Sequence, residues 1–246
     1  MVTAPLLKVS QLYKNFGGVQ AIQNLNFELA EGELLGLIGP NGSGKTTAVN
    51  LITGFVKPSE GEISYRGRKI TGRAPYKIVR MGIARTFQMV KPFYQLPAYK
   101  NMIIPLYSPR VKKRIGGKYG DRDAVALDLL EEVGFERDSY VAYKPASVLP
   151  QGYLKRLELA KAIALAPDLI ILDELFSGLS LAEVASIVPI IEKLRQEGKT
   201  IIMIEHRLKE LFRIADRIIV LNFGEKIADG KAVEVMQSDA VKNAYL

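Results

Sequence analysis

The chain has 246 residues and a mass of 27.2 kDa, enough for one large domain or two small ones that bury a core without covalent staples. It has no cysteine, which excludes disulfides and thiolate metal sites, and its 48% hydrophobic and 24% charged residues are a globular balance, not a disordered one. Lys and Arg outnumber Asp and Glu by 34 to 26, a net charge of +8 that suits nucleic acid, anionic lipid or phosphorylated ligands equally.

No apolar run reaches the length that spans a bilayer, and the first residues lack a signal-peptide core, so a soluble, intracellular protein is expected. In chain order, strands are predicted at residues 6–9, 34–38, 62–65, 82–87, 169–172, 200–204 and 217–221. Several are continuous Leu, Ile and Val, as in strands buried on both faces of a parallel sheet. Helices are predicted at residues 46–53, 123–133, 154–165, 181–197 and 208–215, and the βα alternation indicates an α/β fold. From Gln88 to about residue 149 the strand signal stops. Four prolines, a basic cluster (Arg110, Lys112, Lys113, Arg114 and Lys118, beside Gly116-Gly117) and one clear helix suggest a mostly helical insertion. The cluster is expected to be a solvated loop, with lipid head groups as the sharper alternative. Nucleic-acid binding would require interleaved aromatics, which are scarce.

The strongest local signal follows the strand at 34–38. Gly39, Pro40, Asn41, Gly42, Ser43, Gly44, Lys45, Thr46 and Thr47 satisfy G-x-x-x-x-G-K-[ST], with a helical stretch behind them. Glycines let backbone N–H groups converge on phosphate oxygens, and the helix N-terminus adds its positive end. Lys45 is placed to reach the β- and γ-phosphates, and the Thr46 hydroxyl to ligate Mg²⁺. A phosphate loop needs an acidic residue at another strand end, and Leu169-Ile-Ile-Leu-Asp173-Glu174 supplies two. Neighbours on a strand face opposite ways, so Asp173 suits the metal side and Glu174 the polarisation of an attacking water. Alone, such a pair is a common strand terminus. His206, the single histidine, ends the run Thr200-Ile-Ile-Met-Ile-Glu-His206; a lone histidine is usually structural, but at a strand end in such a fold it suits the γ-phosphate.

Together these residues resemble the ATP-binding subunit of an ABC transporter along essentially the whole chain. The resemblance implies a P-loop NTPase core of residues 1–87 and about 166–246, with a small β-rich N-terminal portion. It also implies a helical subdomain of about 88–165 that carries the signature region, all in one ATP-binding domain. It makes Gln88, in Arg85-Thr-Phe-Gln88, the Q-loop glutamine: a Mg²⁺ contact and hinge. Phe16 becomes the aromatic that stacks on adenine, although alone it would be read as core. Within the superfamily, Leu51-Ile-Thr-Gly-Phe55, the phrase from Gly82 to Gln88, Ile204-Glu-His206 and the C-terminal Val241-Lys-Asn-Ala-Tyr-Leu246 are similar to branched-chain amino acid importers. That likeness implies ATP and Mg²⁺ as cofactors, membrane-spanning permease subunits as partners, indirectly a substrate-binding protein, and no nucleic acid; a second homologous ATPase subunit is expected in a heterodimer, with a homodimer as the alternative. Its implied location is cytoplasmic, on the inner face of the membrane.

The sequence also departs from the family pattern. The signature, commonly Leu-Ser-Gly-Gly-Gln, falls on Leu149-Pro150-Gln151-Gly152-Tyr153; Leu175 replaces the usual proline after the acidic pair, and Ser180 stands where Asp or Asn is usual. Gly152 is retained as a nucleotide contact. Alternatives are a weakly active regulatory nucleotide-binding subunit and the ATPase of another ABC system, such as lipopolysaccharide export or a non-transport function.

Overall fold

A run of apolar residues with no polar face is stable in a sheet only when both faces are covered. Residues 34–38, 169–172 and 201–204 are runs of this kind. The computed structural model, which describes residues 4–114 and 121–245, makes each a strand buried at every position. The chain folds as two compact units, residues 4–78 with 198–245, and residues 79–197. The first unit begins with β1 (Leu7–Phe16), β2 (Val19–Leu29), β3 (Leu34–Ile38), α1 (Lys45–Ile52), β4 (Glu60–Tyr65) and β5 (Arg68–Lys69). The division passes through α2 (Pro75–Met81). The second unit holds β6 (Ile83–Arg85), α3 (Ile103–Leu106), α4 (Pro109–Arg114), α5 (Arg122–Glu132), α6 (Gln151–Ala164), β7 (Leu169–Asp173) and α7 (Leu181–Gln196). The chain returns to the first with β8 (Thr200–Ile204), α8 (Leu208–Ile214), β9 (Arg217–Asn222), β10 (Glu225–Gly230), α9 (Ala232–Gln237) and α10 (Asp239–Tyr245).

In the first unit, β3 runs parallel to β8 and β9, and β10 pairs antiparallel with β9. The β-rich N-terminal portion is a separate antiparallel sheet in the order β2-β1-β4-β5, with Val9 opposite both Phe27 and Ile63. Its strand β2 was not expected from sequence. Ile22, Leu25, Phe27 and Leu29 all face inward, but the register shifts beside Asn24, whose φ of 44° breaks the two-residue period. Strand β10 was also unexpected, because its charged sequence EKIADG is that of a solvated edge. In the second unit, β6 and β7 are parallel, with Ile83 opposite Leu169 and Arg85 opposite Ile171. Between them the described residues form helices, with one isolated bridge from Pro97 to Pro145. No helix among the described residues is long and apolar enough to cross a membrane.

One member of the basic cluster is not solvated. Arg110, on α4, donates from Nε and Nη2 to the Ala166 carbonyl (3.0 and 2.9 Å) and from Nη2 to Asp168 (2.8 Å). Its side chain is 10% exposed and that of Asp168 12%. The fork therefore pins the turn that feeds β7, where Ala166 is held at φ 47°. Lys118 and Gly116-Gly117 lie outside the described residues. Removing one partner of a buried ion pair strands the other, so Arg110→Ala should lower unfolding free energy by about 3 kcal/mol. Arg110→Lys should recover less than half of that, because an ammonium cannot serve both acceptors as a planar fork does. Denaturant titration of the three proteins checks both statements.

Candidate functional site

Strand β3 is apolar throughout, so the first polar chemistry it can present lies in the turn beyond it. There Gly39 has φ 151°, and a Cβ would fall 2.1 Å from the Leu221 carbonyl oxygen and 2.6 Å from Ser43 Oγ. Only glycine lets the loop leave the strand this closely. Gly44, at φ 103°, is the N-cap of α1, and Ser43 is buried with its carbonyl accepting from Gly224 N–H at 2.9 Å. The Lys45 ammonium, in a residue only 6% exposed, donates to the carbonyls of Gly39 (2.8 Å) and Pro40 (2.9 Å) and reaches Ser43 Oγ at 3.5 Å. The predicted phosphate lysine is thus folded across its own loop. Asn41, Gly42 and Thr46 are exposed and Thr47 is half-buried, so the loop tip and the Thr46 hydroxyl face solvent.

Phe16 closes β1 with 48% of its surface exposed, and Lys14 Nζ lies 4.7 Å from the ring centroid. That position is a strand-end platform and not core. His206 follows β8, exposed, after a buried Glu205. The same unit adds a residue not anticipated from sequence: Tyr245, at the end of α10, keeps 44% of its surface exposed, and partial burial raises its pKa above the ordinary phenol value. Leu246, the last residue of the quoted C-terminal phrase, lies outside the described residues.

The second unit carries Gln88, Gly152, Asp173 and Glu174. Asp173 is buried at the end of β7 and pairs with Arg85 at 2.6 Å, both side chains being about nine-tenths or more buried. Its backbone N–H also donates to Thr86 Oγ1 at 3.2 Å. Glu174 leaves the strand at φ 50°, a left-handed conformation that costs a non-glycine residue on the order of 1–3 kcal/mol. Gln88 Nε2 donates to Glu174 Oε2 at 2.6 Å. The two adjacent carboxylates therefore have different partners, Arg85 for one and Gln88 for the other; Glu174 lies beyond the strand in a left-handed turn, so strand alternation is not what separates them. Lys155, buried on α6, donates to the carbonyls of Gln88 (2.9 Å) and Glu174 (3.0 Å).

The signature region starts α6 at Gln151, three residues earlier than expected, with Pro150 as an N-cap that offers no side-chain hydrogen bond. Proline therefore precedes the first helical turn instead of occupying it. An anion is nevertheless present. Ser180 caps α7 in a capping box with Glu183, whose carboxylate accepts from Ser180 N–H and from Ser180 Oγ–H, each at 2.8 Å. The same carboxylate lies against Gly152, where a Cβ would sit 2.5 Å from Glu183 Oε1. The bonds from Ser180, that from its backbone first, hold the Glu183 carboxyl below the usual carboxylate range. Sequence reasoning missed Arg85, Lys155, Glu183 and Tyr245. Arg85 and Tyr245 stood inside quoted phrases, and the S-x-x-E spacing of Ser180 and Glu183 is a capping-box signal. Nothing in the sequence marks Lys155.

A family model described as "ABC transporter" matches residues 22–177. The high-affinity branched-chain amino acid transport ATP-binding protein LivG of Salmonella typhimurium is 37% identical, the match covering 100% of this chain and 99% of that protein. BraF of Pseudomonas aeruginosa, also a high-affinity branched-chain amino acid transport ATP-binding protein, is 34% identical with the same coverage. Among solved structures, a nucleotide-free ATP-binding cassette from an ABC transporter superposes with a TM-score of 0.87 at 27% identity, covering 99% of each chain. The ADP conformation of MJ1267, an ATP-binding cassette of an ABC transporter, gives 0.86 at 28% identity, again over 99% of each. A phosphate loop with its lysine, an acidic pair at a buried strand end, a helical insertion and full-length similarity converge on one conclusion: the chain belongs to the ABC transporter family, as an ATP-binding cassette with a P-loop NTPase fold.

Proposed function

We propose that this cassette binds and hydrolyses ATP to power import of branched-chain amino acids through membrane-spanning permease subunits. The observation that carries the catalytic part is the Gln88–Glu174 hydrogen bond of 2.6 Å at the end of a fully buried strand. It places a carboxylate of defined orientation beside a glutamine whose amide can report the nucleotide state. The likeness to LivG and BraF supports the substrate.

The roles we propose are those the family resemblance implies, and the geometry within each unit supports them. Phe16 offers an exposed ring for adenine, and the amides of residues 39–47 with Lys45 receive the phosphates. Lys45 exchanges loop carbonyls for phosphate oxygens, a stronger charge-assisted contact. Glu174 accepts a proton from the attacking water, and His206 contacts the γ-phosphate. Among the described residues no group of three or more His, Asp or Glu is arranged to cage a metal. That fits Mg²⁺, which keeps its waters and takes few protein ligands: the Thr46 hydroxyl, the Asp173 carboxylate and the Gln88 amide oxygen would hold it, and it would neutralise phosphate charge. Arg85 already balances one Asp173 oxygen, which favours contact through water.

The segment after Gln88 exposes Met89 (71%), Phe93, Tyr94, Leu96, Ile104 (62%) and Tyr107. So much apolar surface along one stretch suits docking to a helix of a permease subunit. Peripheral attachment to the inner face of the membrane follows from that partner, and a substrate-binding protein would be met only indirectly.

Pro150 shapes the assembly. A signature serine is absent, and the Glu183 carboxylate stands against Gly152, where a Cβ would meet Oε1 at 2.5 Å. Two copies of this chain would repeat that defect at both sites. A heterodimer with a second, homologous ATPase would leave one competent site, made from this chain's phosphate loop and Glu174 with the partner's complete signature.

Lys45→Ala should weaken ATP binding about 10–100-fold, the worth of a charge-assisted phosphate contact, as read by equilibrium nucleotide titration. Glu174→Gln should retain ATP affinity while hydrolysis falls about 100-fold; near-normal turnover would remove Glu174 as the base. The isolated chain should hydrolyse ATP slowly and gain turnover when the second ATPase is added. In that pair, Glu174→Gln here should be far more damaging than the matching change in the partner. Robust activity of the chain alone, unimproved by Pro150→Ser, would contradict the asymmetric heterodimer.

A further inference from the structure

Lys155 is an ammonium-bearing side chain in a residue only 1% exposed, in the second turn of α6, the helix that the signature opens. Burying a cation is costly, and an apolar side chain of equal length would fill the same space without that cost if packing were its only task. What the cation gains is two backbone carbonyls from segments far apart in sequence: Gln88 O at 2.9 Å, 67 residues away, and Glu174 O at 3.0 Å, 19 residues away. These are the two residues whose side chains meet at 2.6 Å. Glu174 is also the residue held at φ 50°, where its carbonyl accepts from Ser177 N–H at 3.1 Å as well.

We infer that Lys155 is a positioning residue for ATP hydrolysis: from the signature helix it clamps the Gln88 and Glu174 backbones together, so that the Glu174 carboxylate is held in its left-handed turn with Gln88 against it. The inference rests on the reading of Glu174 as general base. It gives α6 a direct mechanical line to the hydrolytic carboxylate within the same unit. A shift of α6 relative to β7 would move the Glu174 carbonyl, and with it the carboxylate, without touching the phosphate loop's own residues. Misplacement of a reacting group by about 1 Å can cost on the order of 10²-fold in rate.

The test uses the transporter complex purified through this chain, with nucleotide sites counted by titration so that turnover is per folded site. Lys155→Met should lower kcat about 10–100-fold while the KM for ATP stays within about threefold. Lys155→Arg, which keeps a cation with several donors and guards against a fold failure in the Met variant, should recover kcat to within about fivefold of the parent. The decisive comparison is Lys155→Met placed on Glu174→Gln and read by single-turnover hydrolysis. Residues acting as one unit are non-additive, so the second change should then alter the remaining rate by less than about threefold. A merely structural lysine would impose the same loss in both backgrounds, and that result would overturn the inference. Parent-like kcat in Lys155→Met beside an inactive Glu174→Gln would also overturn it while leaving the base assignment standing. Parent-like turnover in Glu174→Gln would overturn both.

Discussion

The interiors of the strands that organise each unit cannot carry an unpaired charge. Strands β3, β7 and β8 are buried at all five positions, and an isolated ionised group inside such a run would have no water to solvate it. The ionisable site residues expected from sequence therefore stand at the last position of a strand, as Asp173 does in β7, or in the turn beyond it, where they still lie near enough to the core to need a partner. Lys45 finds the carbonyls of its own loop, and Asp173 finds Arg85. Their chemistry is concentrated at strand ends because the hydrophobic interior excludes it from everywhere else. The rigidity of the apolar layer then fixes those ends, so the charged groups inherit positions that flexible loops alone would not give them.

The same constraint decides what the sequence makes legible. Strands β3, β7 and β8 are readable because continuous Leu, Ile and Val bounded by charge has few other interpretations, and the phosphate loop is readable because its glycines are required one by one. Strand β2 is obscured by Asn24, whose positive φ shifts the register between Ile22 and Leu25 and breaks the alternation that would have announced it. Arg110 and Lys155 are obscured for a different reason. A basic residue in a loop or on an amphipathic helix is ordinarily solvated, and only the tertiary arrangement brings the Ala166 carbonyl and Asp168 to the one, and the Gln88 and Glu174 carbonyls to the other. Pair partners separated by tens of residues leave no local pattern. The fold was legible because periodicity is local, and the supporting shell of the candidate site was not because its bonds are long-range.

Strain sits where the supporting bonds are densest. Glu174 occupies a backbone conformation that few side-chain-bearing residues adopt, and its carbonyl and carboxylate are both engaged. Such a residue keeps its geometry only when its surroundings over-determine it. A conformation that needs several simultaneous contacts is also sensitive to the loss of any one of them.

The Glu183 carboxylate joins the starts of two helices. Ser180 holds it by a capping box at α7, and at α6 its Oε1 fills the space that a Cβ on Gly152 would need, just after an N-cap proline that makes no side-chain hydrogen bond. Positions 150 and 180 are thus linked through one anion. Serine at 180 aims the carboxylate, and the start of α6 has room for it because Gly152 carries no Cβ. A change at residue 183 would therefore disturb the cap of α7 and the surroundings of the first turn of α6 at once.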